Sequence, residues 1–278
     1  MSTILVITNF SLSSTNALDY ACAFLHNNET KVVLLNVFTF SSGYAGDGVS
    51  IAALNEASEE NENLLNSEYK RIKEIFPSLN LETKMVTGNF IDCIQEQIEE
   101  YNSPIIIIGA EGDYNSLMSW DENIIDAFID LSVPVLIVPS HVKYNKITDV
   151  AFACNYKRKD LQQPLTMLKK LVTFTKAKLH IVHAKIKDEV LSLEEEENKT
   201  MLANTLSGIV PSFYELVNKD IVHAVDEFIS EKNISMLIIM PNRTGTWQHI
   251  FSKSHTKALV YMNRIPVLAL RNKTDFNI

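Results

Sequence analysis

The stretch "GNFIDCIQEQIEEYNSPIIIIG", residues 88–109, decides the fold because a similar stretch recurs later in the chain. The later stretch is "NKDIVHAVDEFISEKNISMLIIM", residues 218–240. In both, apolar residues recur at helical spacing and are followed by a short run of large aliphatic residues. Each stretch therefore predicts a helix followed by a buried strand.

The similarity extends outward from these two stretches. "LVITNF", residues 5–10, matches "AFACNY", residues 151–156, and each precedes a polar turn and an apolar-periodic helix. The next strand is "KVVLLNVF" (31–38) in one half and "AKLHIVHA" (177–184) in the other. The same types of element in the same order indicate an internal repeat.

The closing segments complete the repeat. They read "SVPVLIVP", residues 132–139, and "RIPVLALR", residues 264–271. The interval from Gly109 to Pro134 is 25 residues, and so is that from Pro241 to Pro266. Strands this rich in Val, Ile and Leu are typical of a parallel sheet covered by helices on both faces.

We therefore predict an α/β fold with two repeated Rossmann-like domains, over residues 1–141 and 147–278. Each domain should hold a five-stranded parallel sheet flanked by helices. No apolar run reaches the roughly 18 residues that would span a membrane. We expect a soluble cytoplasmic protein with no membrane partner.

The charge is distributed unequally. Residues 1–141 carry 5 Lys and Arg against 20 Asp and Glu, and residues 142–278 carry 20 against 14, which gives −15 and +6. A half this acidic argues against a nucleic acid partner, because such affinity depends on neutralising phosphates. The opposite signs predict that the halves dock as a compact unit.

Three segments carry a resemblance to a known family: "ILVITNFSLSSTNALDYA" (4–21), "VTGNFIDCI" (86–94) and "PVLIVP" (134–139). The chain resembles the universal stress protein family, as a tandem of two such domains over nearly its whole length. The resemblance implies adenine nucleotide alpha hydrolase-like domains. Because relatives often pair through the closing strand, it also implies an intramolecular pseudo-dimer, with a homodimer left open.

The resemblance also implies where a nucleotide would bind. Nucleotide-binding members have a loop of Gly, two residues, Gly, nine residues, then Gly followed by Ser or Thr. Gly109 and Gly112 match the first two positions, but Glu122 and Asn123 fall at the final pair. A carboxylate there would repel a phosphate, so the loop is interpreted as degenerate.

The second half departs further from this pattern. Pro241 and Thr244 stand at the two glycine positions, and proline lacks the N–H that a phosphate cradle uses. The aspartate that relatives usually have after the first strand is Asn9 in one half and Asn155 in the other. If a nucleotide binds, we expect Asn9 and Val37 near the base and ribose, and Gly109 and Gly112 near the phosphates.

A basic set offers a different site. Lys157 and Arg158 follow the first strand of the second half, and Arg243 and Lys253 lie after its fourth. Both loops should open on the carboxyl edge of the sheet, where the cations form either an anion site or an ordinary solvated rim. No catalytic motif and no metal-ligand set emerges.

The leading interpretation is therefore a non-catalytic stress-response or regulatory binding protein with no expected cofactor and an unidentified small-molecule or protein partner. One alternative is an ATP- or AMP-binding protein with slow ATP hydrolysis, with the nucleotide in the first domain. A second is anion or metabolite binding at the basic crevice of the second domain.

Overall fold

The computed structural model describes residues 2–25, 29–39, 51–111, 127, 130–154, 156, 162–187, 190–240 and 264–271. The elements of the first half are β1 Thr3–Thr8, α1 Leu12–Leu25, β2 Lys31–Phe38, α2 Ile51–Ile75, β3 Asn80–Thr87, α3 Phe90–Tyr101, β4 Ile106–Ala110 and β5 Val135–Pro139. Those of the second half are β6 Asp149–Ala153, α4 Gln162–Thr175, β7 Lys178–Lys185, α5 Leu193–Thr205, β8 Ser212–Val217, α6 Ile221–Lys232, β9 Met236–Ile239 and β10 Val267–Ala269.

The strands of each half form a parallel five-stranded unit. The order is β3-β2-β1-β4-β5 in the first half, and the second half has the same order with β8-β7-β6-β9-β10. All pairings within a half are parallel. The predicted α/β fold with a parallel sheet in each half is confirmed. The domain boundaries at 141 and 147 stay a prediction.

The two units are joined into one ten-stranded sheet at a seam between β5 and β10. These strands pair antiparallel, with Leu136 opposite Leu268. Each of the two leucines lies two residues after the proline of its closing segment, so equivalent residues of the two halves face each other. This register places a pseudo-twofold axis, normal to the sheet, at the seam. The pairing also covers the apolar edge strand of each half.

The antiparallel seam also fixes where each half presents its strand ends. Parallel strands within a half end together at one edge, and β10 runs opposite to β5. The carboxyl edges of the two halves therefore lie at opposite ends of the strands, and not on opposite faces of the sheet. The carboxyl end of β5 lies beside the amino end of β10.

Alternating side chains along the strands supply two cores, one on each face of the sheet. On β1, Ile4 and Val6 belong to one face, and Leu5 and Ile7 belong to the other. Buried residues of α1, α2, α4 and α5 cover the first face, and those of α3 and α6 cover the second. This arrangement fits the aliphatic strands, which are buried on both sides.

The helices that precede β4 and β9 are terminated by the same devices. The side chains of Asn89 and Asp220 cap the starts of α3 and α6, and each accepts a hydrogen bond from the backbone N–H three residues further on. Asn102 and Asn233 end the two helices in the left-handed conformation, at φ 47° and 52°. Asparagine tolerates this conformation better than most residues, which explains its use at both ends. Among the described helices, none is long and apolar enough to cross a membrane.

Candidate functional site

The carboxyl edge of the first half brings together the described residues that the sequence singled out. Asn9 follows β1, Val37 is near the end of β2, and Gly109 is near the end of β4. The three strands are adjacent in the order β2-β1-β4. Ligands of parallel α/β sheets bind at such an edge, so this is the candidate site.

Asn9 takes part in a hydrogen-bonded turn between β1 and α1. Its Oδ1 accepts a hydrogen bond from Ser11 N at 3.1 Å. Phe10 has a φ of 62°, and its N–H donates to Thr8 Oγ1 at 2.9 Å. The turn therefore fixes the side-chain oxygen of Asn9, Oδ1. The exposed side-chain NH₂ group of Asn9 has no acceptor among the described residues.

A group of serine hydroxyls surrounds the start of α1. Ser11 Oγ and Ser13 Oγ are 2.8 Å apart, and Ser14 Oγ donates to the carbonyl of Ser11 at 3.0 Å. Thr8 Oγ1 donates in turn to Ser14 Oγ at 3.2 Å. Sequence reasoning missed this cluster, although the run "SLSS", residues 11–14, at the start of the helix was a signal for it.

Gly109 is explained by packing. A Cβ at this position would lie 2.1 Å from Ser13 O and 2.7 Å from Ser14 N. Gly109 lies inside β4, one residue before the strand ends, and pairs with Val138. The start of α1 approaches β4 so closely that only glycine fits, which accounts for this residue without a phosphate.

Asn36 and Val37 point to opposite faces of the sheet. Asn36 Nδ2 donates to the carbonyl of Thr8 at 2.9 Å, whereas its buried Oδ1 has no partner among the described residues. An unpaired buried acceptor is unfavourable by about 1–3 kcal/mol, so Asn36 is an unexpected polar feature of this edge. Val37 is 8% exposed and packs in the core that α3 covers, so most of its side chain is withdrawn from the edge.

The same place in the second half is filled by aromatic rings. His183 corresponds to Asn36, and its Nδ1 lies 3.3 Å from the carbonyl of Cys154. Its ring stacks on Tyr156, with centroids 4.5 Å apart. The Tyr156 side chain is fully buried, and its hydroxyl has no partner among the described residues. Burial lowers the pKa of His183, which favours the neutral ring. Because a carbonyl oxygen can only accept, a hydrogen bond to Cys154 O requires the proton on Nδ1.

The described cations beside these rings are neutralised by a carboxylate. Glu215 accepts from Lys185 at 2.8 Å and lies 3.5 Å from Lys199 Nζ. The hydrogen bond from Lys185 lowers the pKa of Glu215, despite partial desolvation. Lys199 Nζ also lies 5.6 Å from the centre of the Tyr156 ring. This part of the edge is therefore a network of paired charges.

Several predicted site residues lie outside the described residues: Gly112, Lys157, Arg158, Arg243, Lys253, and also Glu122, Asn123, Asn155, Pro241 and Thr244. The degenerate loop and the anion site therefore stay predictions. Within the described ranges, no three His, Cys, Asp or Glu side chains are grouped so that they could hold a metal ion.

Comparison with solved structures agrees with this architecture. A universal stress protein from Archaeoglobus fulgidus superposes with a TM-score of 0.76 at 20% identity, over 97% of this chain and 98% of its own. A Pseudomonas aeruginosa protein assigned to the same family gives 0.58 at 13% identity, over 98% of this chain and 93% of its own. Both cover the two halves together. At these identities, they show that the fold is shared.

A shorter relative matches only half of the chain. It is a universal stress protein family protein from Arabidopsis thaliana with AMP bound, at 15% identity and a TM-score of 0.35, covering 50% of this chain and 92% of its own. No curated protein matches the chain. The universal stress protein family model matches residues 1–139, which is the whole of the first half up to the end of β5. The chain belongs to the universal stress protein family.

Proposed function

We propose that this chain is a non-catalytic regulatory binding protein of the tandem universal stress type, in which the phosphate grip has degenerated in both halves. Its proposed location, the cytoplasm, is a sequence-based prediction. The observation that carries the proposal is the close contact between Gly109 and the start of α1. Because helix packing requires this glycine, its presence is no sign of a working phosphate loop.

The remaining loop positions support the same conclusion. Glu122 and Asn123 stand where nucleotide-binding relatives have glycine and a hydroxyl residue. At 4 Å, a carboxylate and a phosphate charge repel each other by about 4 kcal/mol at an effective dielectric of 20. In the second half Pro241 removes a backbone donor, and Tyr156 fills space beside the first strand.

A thermal-shift assay on the full chain tests the proposal. A nucleotide at 100 times its dissociation constant stabilises the folded state by about 2.7 kcal/mol, which moves the melting temperature of a chain this size by several degrees. We expect no shift with millimolar Mg-ATP, ADP, AMP or cAMP. Nucleotide retained through purification and identified by mass spectrometry would overturn the proposal.

Nucleotide binding in the first half is the second candidate, and one observation favours it. Asn36 Oδ1 is buried and unpaired among the described residues, and Thr8, which pairs with Asn36 in the sheet, donates a hydrogen bond to Ser14 of the serine cluster. A bound adenosine group with hydroxyl or amino donors would find acceptors there. If AMP or ATP does bind, Asn9→Ala should weaken binding, whereas Asn63→Ala, at an exposed position on α2, should not. Slow release of phosphate from ATP by the wild type, absent in the Asn9 variant, would support the hydrolytic version.

A further inference from the structure

A cavity of about 410 Å³ lies at the amino edge of the second half, where the linker connects the two halves. Its walls come from α1, from the linker that follows β5, and from the segments that lead into β6, β9 and β10. The lining includes Tyr20, Lys143, Lys146, Thr148, Ser235 and Pro266. The volume is within the usual range for small-molecule sites.

The first-half wall is fixed by α1. Asn16 Nδ2 donates to the carbonyls of Pro139 and Val142, at 2.8 and 2.9 Å, and so anchors the start of the linker. One turn further along α1, Tyr20 packs edge-on against Tyr144, with ring centroids 5.3 Å apart. The linker therefore has a defined path over the helix.

The second-half wall is fixed as well. Ile147 is 3% exposed and belongs to the core. The backbone N–H groups of Thr148 and Asp149 donate to Ser235 Oγ at 3.2 and 3.4 Å. Both ends of the linker are thus held, and the short exposed segment between them carries the lysines. Binding to such a preformed site loses less conformational entropy than binding to a free loop.

The lining of the cavity is rich in cationic groups and hydrogen-bond donors. It contains two ammonium groups, several hydroxyl and amide groups, and no carboxylate among the described lining residues. Neither Lys143 nor Lys146 forms an ion pair with a described residue. Tyr20 is 3% exposed. Burial, and to a smaller extent the nearby Tyr144, raise the pKa of its hydroxyl, so the hydroxyl keeps its proton and can donate a hydrogen bond. In a chain with a net charge of −9, this is a local concentration of cations and donors.

We propose that this cavity binds a small molecule carrying a compact anionic group, either phosphate or carboxylate. Lys143 and Lys146 supply the charge, and Thr148, Ser235 and Tyr20 supply hydroxyl groups. Because α1 belongs to the first half and Ser235 to the second, the ligand contacts both halves. The cavity lies on the edge where the strands of the first half end, but its lining includes none of Asn9, Val37 and Gly109. The inference therefore does not depend on the proposed function above.

Chemical-shift titration of the isotope-labelled full chain tests the site. The probes are inorganic phosphate and, in a separate arm, citrate, both at constant ionic strength because salt screens such contacts. We expect saturable shifts of the Asn145, Thr148 and Ser235 amides with at least one probe. The probe with the lower dissociation constant identifies the preferred anion.

Two variants separate specific binding from general charge effects. Lys143→Ala with Lys146→Ala should weaken binding about tenfold or more, which corresponds to about 1.4 kcal/mol. Lys187→Ala with Lys219→Ala removes the same charge from exposed positions outside the cavity and should leave the affinity unchanged. Tyr20→Phe, which keeps the ring contact with Tyr144, should weaken binding a few-fold. Shifts that grow linearly with both probes, or an equal loss in the two double variants, would overturn the proposal.

Discussion

Asn36 and His183 occupy equivalent positions in the two halves, and each contacts the backbone carbonyl at the end of the neighbouring central strand. Asn36 Nδ2 lies 2.9 Å from Thr8 O, and His183 Nδ1 lies 3.3 Å from Cys154 O. The repeat has kept the contact and changed the side chain. The amide leaves a polar atom at the edge of the first half, whereas the imidazole stacks on Tyr156 in the second.

This equivalence predicts the effect of exchanging the side chains. His183→Asn retains a donor that can reach Cys154 O, whereas His183→Ala leaves that carbonyl and one face of the Tyr156 ring without a partner. We expect His183→Ala to lower the free energy of unfolding by about 2–3 kcal/mol and His183→Asn by about half of that. Urea unfolding of both variants measures the difference. Equal losses would show that the hydrogen bond contributes nothing.

His183 should also make stability depend on pH. Burial lowers its pKa in the folded state below the ordinary value of 6.5, so the unfolded chain binds more protons between these two values. The contribution of His183 is therefore complete above pH 6.5 and is lost as the pH falls through the folded-state pKa. We expect the stability of the wild type to decrease more steeply than that of His183→Asn below pH 6.5, in unfolding experiments from pH 8 to 5. Parallel curves would contradict this.

Gly109→Ala should be strongly destabilising because the added Cβ would overlap with the backbone of α1. The nearest atom, Ser13 O, would be 2.1 Å away, and backbone atoms cannot move aside as a flexible side chain can. We expect a loss of about 3 kcal/mol or more in the free energy of unfolding. Gly208→Ala is the comparison: its φ of 90° is unfavourable, but a Cβ there meets nothing within 4 Å. The Gly208 variant should lose only about 1 kcal/mol.

The seam between the halves can be tested with a double-mutant cycle. Leu136 and Leu268 face each other across it, and each is 3% exposed. Each change to alanine should lower the free energy of unfolding by about 2–5 kcal/mol, and the two losses should be non-additive by about 0.5 kcal/mol or more. Leu5→Ala, in β1, is the control and should be additive with Leu268→Ala. Additive losses for both pairs would show that Leu136 and Leu268 do not interact, and would argue against the pairing of β5 with β10.

Tyr156→Phe tests whether the buried hydroxyl of Tyr156 destabilises the folded state. The hydroxyl has no hydrogen-bond partner among the described residues, and an unpaired buried polar group is unfavourable by about 1–3 kcal/mol. The variant should be as stable as the wild type or up to about 1 kcal/mol more stable, by thermal or urea unfolding. A clear loss of stability would reveal a partner in the part of the chain that is not described.

The repeat made the fold predictable because it appears directly in the order of aliphatic strands and in the equal spacing of Gly109–Pro134 and Pro241–Pro266. The pairing of the closing strands was expected only from the resemblance. Their register needed the structure, because it depends on which atoms meet across the seam.

The candidate site was predictable in position but not in detail. Asn9 and Gly109 do lie at one edge, as the ends of neighbouring parallel strands must. The role of Gly109 depends on the backbone of Ser13, which is 96 residues away in the sequence, and no local pattern records such a contact. The cavity beside Tyr20 was missed for the same reason, since its walls come from four separate parts of the chain.

The antiparallel seam between β5 and β10 has a consequence for how the molecule meets its surroundings. A flat partner that approaches one end of the strands meets the carboxyl edge of the first half beside the amino edge of the second half. A partner that approaches the other end meets the amino edge of the first half beside the carboxyl edge of the second half. The two repeated edges therefore cannot both engage one flat surface. Two partners bound at these repeated edges would therefore lie at opposite ends of the strands and would not compete for the same surface.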